Sequence, residues 1–144
     1  MKIIEYNDKY RDDLIFMILA AKDAIGKIPN LTADLLEIEK YYMNNGGKFW
    51  IAVNDADRVI GSCGYLPVNN DEARLKRLYV KSSLKRQGIG SKMLHFAEEY
   101  LKSVGKKEVG IHLGEKRYYF ESYGFYAKRG YESSSDRCMY KKLL

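Results

Sequence analysis

The run RLKRLYVKSSLKRQGIGSKML occupies residues Arg74 to Leu94. Its opening part, within Ala73 to Val80, reads as a strand. Its closing part starts a helix whose Ile89, Met93, Ala97, Tyr100, Leu101 and Val104 share one face. Between the two, Gly88 and Gly90 stand one residue apart among Lys85, Arg86 and Lys92. A helix start leaves several backbone N–H groups unpaired and carries partial positive charge. Glycines let the chain curl there so that the N–H groups converge on an anion with no side chain in the way. Two familiar glycine loops are excluded. The dinucleotide fingerprint needs a third glycine where Met93 stands, and the nucleotide-hydrolase loop needs one where Lys85 stands. On the residues of the loop alone, an anion cradle and a plain glycine-rich helix start remain equally open.

The charge around the loop sharpens the question. From Ala73 to Ala97 there are seven lysines and arginines and no acidic residue, more than the net +6 of the whole chain. Such a stretch attracts polyanions: nucleic acid, an anionic membrane or a phosphorylated ligand. A solvated strand and loop face is the alternative. The 144 residues are most simply one domain, residues 1–144, and 46% apolar and 31% charged residues suit a globular chain. No apolar run approaches the roughly 20 residues of a membrane span. The opening MKIIEYNDKYRDD is too acidic and broken for a secretory signal. We therefore expect a cytoplasmic protein with no membrane partner. Cys63 and Cys138 lack metal-ligand spacing and read as reduced thiols, and His95 and His112 stand alone, so no metal is expected.

Elsewhere, Lys2 to Tyr6 reads as a strand, and Tyr10 to about Ala24 as a helix with Leu14, Ile15, Ile18, Leu19 and Ala21 inward. A second helix is expected from Thr32 to Met43, with Leu35, Leu36 and Ile38 inward, ended by Asn44 to Gly47. FWIAV (49–53) and VIGSCGYL (59–66) flank the turn-prone NDAD as a hairpin. The helix opened by the glycine pair should run to about Val104. KEVGIHL (107–113) reads as a strand, Lys116 to Lys128 as a tyrosine-rich helix, and Arg137 to Leu143 as the last strand. The order β-α-α-β-β-β-α-β-α-β specifies an α/β (α+β) fold with a mixed sheet and helices on its faces.

The run from Arg74 to Leu94 resembles the signature of the GCN5-related N-acetyltransferase (GNAT) family: a strand ending L-x-V, a connector, then [QR]-x-x-G-x-[GA] opening a long helix. Here Leu78-Tyr79-Val80 ends the strand and Lys85-Arg86-Gln87-Gly88-Ile89-Gly90 forms the turn. FYAKRGY (125–131) resembles the family's F-Y-x-K-x-G-F segment, and the element order agrees along the whole chain. The resemblance implies a mostly antiparallel central sheet, splayed between the fourth and fifth strands of the fold. It implies that the backbone of Arg86, Gln87, Gly88, Ile89, Gly90 and Ser91 holds the pyrophosphate of coenzyme A, and that Leu78, Tyr79 and Val80 pair with the pantetheine arm. Acetyl-CoA is then the co-substrate.

By the same resemblance, an acetyl group moves to a primary amine by direct attack in a ternary complex. A backbone N–H near Tyr79–Val80 would polarise the thioester carbonyl. Tyr126, the tyrosine of FYAKRGY, would be the general acid, since a phenol of pKa about 10 is protonated at neutral pH. Its alternative role is packing, because Tyr118, Tyr119, Tyr123 and Tyr131 lie nearby. The base is left open among Glu72, Glu115, Glu121 and water. Four positions depart from the family pattern: Lys85 replaces an Arg or Gln, Ser82 stands where a proline is frequent, Arg74 where Glu is frequent, and Tyr119 where Asn is frequent. The acceptor is a small or peptide amine of unspecified identity, and a homodimer is possible by resemblance. The competing function is a non-catalytic module binding coenzyme A or nucleic acid. Nucleic acid is not the expected partner, since the basic stretch has Tyr79 as its one aromatic before the helix and no recognisable motif.

Overall fold

A computed structural model describes residues 1–135 and 138–144. The elements run β1 (Lys2–Glu5), α1 (Arg11–Ala24), α2 (Ala33–Leu36), α3 (Ile38–Tyr41), β2 (Lys48–Val53), β3 (Val59–Pro67), β4 (Glu72–Val80), α4 (Ile89–Ser103), β5 (Glu108–His112), α5 (Lys116–Ala127), β6 (Glu132–Ser135) and β7 (Cys138–Lys142). Seven strands form one sheet in the order β1-β2-β3-β4-β5-β7-β6. Every pairing is antiparallel except β4 with β5, which are parallel and joined through α4.

Side chains alternate across the sheet, so β2 feeds two cores at once. Trp50 and Ala52 join the core under α4, with Leu75, Met93, Leu101 and Tyr126. Phe49, Ile51 and Val53 join the core under α1, with Leu14, Ile18 and Leu35. The hairpin of β2 and β3 forms as expected, closed by Asn54, whose side chain accepts from the N–H groups of Ala56 and Arg58.

Two features of β4 position the site. Its parallel pairing with β5 ends at Leu75 opposite Ile111, yet β4 continues to Val80, paired with β3 alone. The sheet is therefore splayed between β4 and β5, as the family resemblance implies. Opposite, the β3–β4 register shifts between Ser62 and Gly64. Arg77 sits there with φ 58, its carbonyl accepting from the Ser62 hydroxyl at 2.7 Å. This bulge bends the second half of β4 away from β5.

Three expectations are corrected. The helix foreseen over Thr32–Met43 is two short helices broken at Glu37 (φ −140, ψ 66) and followed by a 3-10 turn, Met43–Asn45. Leu36, expected inward, is exposed. Its carbonyl accepts from Arg11 Nε at 3.0 Å, and the break lets Leu35 and Ile38 both reach the core. Val104 is exposed because α4 ends at Ser103, before Gly105 takes φ 86. The last strand is a pair, β6 and β7. Glu132–Ser135 has no apolar alternation to mark it, and it forms the edge of the sheet, where residues 132–134 are exposed. Arg137, expected to begin that strand, lies outside the described residues.

Candidate active site

The opening between β4 and β5 leads into a cleft of about 1450 Å³. One wall is the free half of β4, from Lys76 to Val80; the others are the loop before α4, the β5–α5 connection and the ends of α1 and α2. On the free half of β4, the peptide groups facing away from β3 have no strand partner among the described residues.

The loop closes one end. Arg86 (φ 66) and Gly88 (φ 85) both take the left-handed conformation, so the chain curls tightly before Ile89. Lys92 N–H bonds the Gly88 carbonyl at 3.0 Å and so begins the helical ladder. The N–H groups of residues 86–91 make no hydrogen bond among the described residues. Successive free N–H groups in such a curl form an anion-binding concavity. Gly90 lies beside the end of β4, where a Cβ would make ordinary contact with Val80 Cγ2 at 3.4 Å and the Phe125 ring at 3.5 Å. Beside the loop, Arg129 stacks on Phe125 at 3.8 Å, and its Nε donates to Ser91 Oγ at 3.3 Å.

At the bulge, Asp34 on α2 receives Arg77 through two bonds of 2.9 Å, Thr32 at 2.6 Å and Tyr42 at 2.8 Å. Burial alone would raise the Asp34 pKa; the bonds from Arg77, Thr32 and Tyr42 outweigh it and hold the carboxyl low. Among the described residues, the cleft is lined by eleven lysines and arginines and two carboxylates, Asp34 and Glu121. Both carboxylates are paired, since Glu121 meets Arg86 at 3.1 Å.

Of the residues singled out in the sequence, Leu78, Tyr79, Val80, Arg86, Gly88, Ile89, Gly90 and Ser91 all line this cleft, as does Lys85. Gln87 points to solvent outside it. Tyr126 is 3% exposed and lies behind the wall, against the Phe125 and Tyr131 rings at 5.1 and 5.3 Å. Burial pushes its phenol pKa well above the ordinary value, with Cys63 and Tyr79 near enough to add to the shift. The group therefore stays protonated. Glu72 lies in a separate groove with Asp71 and Lys107, and Glu115 pairs with Arg117 at 3.0 Å outside the cleft lining.

Sequence reasoning missed Lys22, Arg129 and the Asp34–Arg77 pair. Arg129 and Asp34 gave no signal, because their partners are distant in sequence. Lys22 did give one: it continues the stripe of Leu14 and Ile18 at four-residue spacing, so a lysine there faces inward.

The acetyltransferase (GNAT) domain matches residues 45–133, from the turn before β2 to the start of β6. The chain belongs to the GNAT acetyltransferase family. Human N-acetyltransferase 8 is 27% identical to it over 122 residues, which are 79% of this chain and 52% of that protein. This GNAT chain spans about half the length of the curated relatives it matches. A GNAT-family acetyltransferase from Staphylococcus aureus Mu50 superposes with TM-score 0.88 at 26% identity, covering 99% of both chains. An aminoglycoside 6′-N-acetyltransferase complexed with coenzyme A shares the fold at TM-score 0.76 and 20% identity, covering 100% of this chain and 98% of that one.

Proposed function

We propose that the protein is an acetyl-CoA-dependent N-acetyltransferase that moves an acetyl group to a primary amine by direct attack within the cleft. One observation carries this reading. An unpaired strand edge and a cradle of free N–H groups open into the same cleft, in a chain of the GNAT family. That pairing fits a ligand with an extended amide arm and a pyrophosphate, and a structural neighbour is complexed with coenzyme A. When bound, acetyl-CoA supplies the activated acyl group.

The N–H groups of Arg86, Gln87, Gly88, Ile89, Gly90 and Ser91 hold the pyrophosphate, with Arg129 beside Ser91 adding charge. The open edge of Leu78, Tyr79 and Val80 pairs with the amide arm and donates to the thioester oxygen. Tyr126, kept protonated by burial, donates a proton to the departing sulfur. Among the described residues, no unpaired carboxylate lines the cleft to act as base. A lining so rich in cations instead favours the neutral amine over the ammonium, and water carries the released proton. Burial of Tyr126 behind the wall favours a second reading, a coenzyme A-binding module without transfer.

Thermal melts with acetyl-CoA, 3′-dephospho-coenzyme A and a nucleoside triphosphate, followed by thiol release with an amine panel, test the proposal. A ligand at 100 times its Kd adds about 2.7 kcal/mol. An acetyl-CoA-selective rise in Tm with amine-dependent thiol release is expected. An equal rise with any polyanion would overturn the cofactor assignment, and a selective rise without transfer would favour the binding module.

A further inference from the structure

The pyrophosphate cradle accounts for the cations at one end of the cleft and leaves those at the other end unexplained. Helix α1 fixes the separation. Asp13 in its first turn is bonded to Arg58 and to the Val59 N–H at the start of β3, close to where Gly61 pairs with Val80. Lys22 follows nine residues later, about 13 Å further along the helix axis. There it lies near Arg77 and Asp34, at the bulge rather than at the loop. Lys22 is 5% exposed and lines the cleft, yet it has no hydrogen-bond or ion-pair partner among the described residues. Asp34 cannot serve it, because both carboxylate oxygens are taken by Arg77, Thr32 and Tyr42.

A second unpaired donor lies on the same side of the sheet. Arg74 alternates with Ala73 and Leu75, which belong to the α4 core, so it faces the α1 side. It also lines the cleft, and its Nε is enclosed without a partner among the described residues. Burial and the charges of Arg77 and Lys27 push the Lys22 pKa down, against the weaker pull of Asp34, whose oxygens are already engaged. Buried charges are ordinarily paired. A reachable ammonium on the cleft wall, with a second cation on the same side of the sheet, describes a place for an anion that the described residues do not provide.

We propose that the acceptor amine carries an acidic group of its own, a carboxylate or a phosphate, bound by Lys22, with Arg74 adding positive charge from the same side of the sheet. This rests on the transferase reading above and specifies its substrate class. Thiol release should be compared for matched acceptors: an amino acid and its carboxamide, and phosphoethanolamine and ethanolamine, each corrected for its neutral-amine fraction. The acidic member of at least one pair should be favoured by about tenfold or more in kcat/KM. Lys22→Met should erase that preference, and Arg74→Met weaken it, through the acceptor KM, with acetyl-CoA still raising the Tm of both variants. The pair that shows the preference identifies the anion. Equal use of the neutral members would overturn the inference while the transferase reading stands. So would acetyl-CoA binding with no acidic amine acetylated. If acetyl-CoA leaves the Tm unmoved and no amine releases thiol, the transferase reading fails first and the inference falls with it.

Discussion

At Tyr126 the ring and the hydroxyl have separable roles. The ring packs between Phe125 and Tyr131, while the hydroxyl makes no hydrogen bond among the described residues. Tyr126→Phe keeps the packing and removes only the proton donor. We expect stability to stay within about 0.5 kcal/mol of wild type, acetyl-CoA still to raise the Tm, and kcat to fall on the order of 10²-fold. Stopped thiol release with intact ligand stabilisation is the signature; an unchanged kcat would make Tyr126 a packing residue. Asp34 is the opposite case, a group whose charge is used by the fold. Asp34→Asn leaves Arg77 half-buried without its counterion and should destabilise by roughly 2 to 3 kcal/mol. Because the folded carboxyl is held below its unfolded pKa of about 3.9, its contribution is full above that pH. It is lost as pH falls through the folded value. The gap in Tm between wild type and Asp34→Asn should therefore be constant from pH 5 upward and narrow below pH about 4. Asp13, also held low by Arg58, titrates in both proteins and cancels in the comparison.

At the scale of elements, the loop before α4 gives a contrast between two glycines. Gly88 takes φ 85 with nothing within 4 Å of a Cβ, whereas Gly90 has no positive φ and a Cβ there makes near-ordinary contacts. Gly88→Ala should thus cost about 1 kcal/mol of backbone strain, and Gly90→Ala less than about 0.5, as ligand-free melts would show. The loop was legible because its function is written in local residues: two glycines, a basic flank and a strand–helix order. Elements built by distant partners were not. The break at Glu37 is set by Arg11 reaching the Leu36 carbonyl and by Asp34 reaching Arg77, neither visible as a pattern within Thr32–Met43. Strand β6 is defined by its pairing with β7, and its ESSS sequence carries no β signal. Likewise Tyr126 is marked by its motif, but its place behind the cleft wall depends on the ring of Phe125 taking the lining position.

At the scale of the molecule, the described residues gather eleven cations around two paired carboxylates in the cleft of a chain of net charge +6. Such a lining repels itself when empty and attracts a polyanion when one is offered. The two consequences respond oppositely to salt. The Debye length falls from about 10 Å at 0.1 M to about 3 Å at 1 M, so repulsion among the exposed members, such as Lys85, Arg86 and Lys128, is screened. The half-buried Asp34–Arg77 pair, with side chains 18% and 21% exposed, is screened much less. Ligand-free Tm should therefore hold steady or rise between 0.05 and 1 M NaCl. Over the same range the Kd for acetyl-CoA should increase by roughly an order of magnitude, shrinking the ligand-induced rise in Tm. Paired melts with and without acetyl-CoA across the series measure both. A ligand-free Tm that falls with salt would mean that the surface ion pairs outweigh cleft repulsion. A ligand shift insensitive to salt would mean that the strand edge and backbone cradle, rather than the basic lining, supply the binding energy.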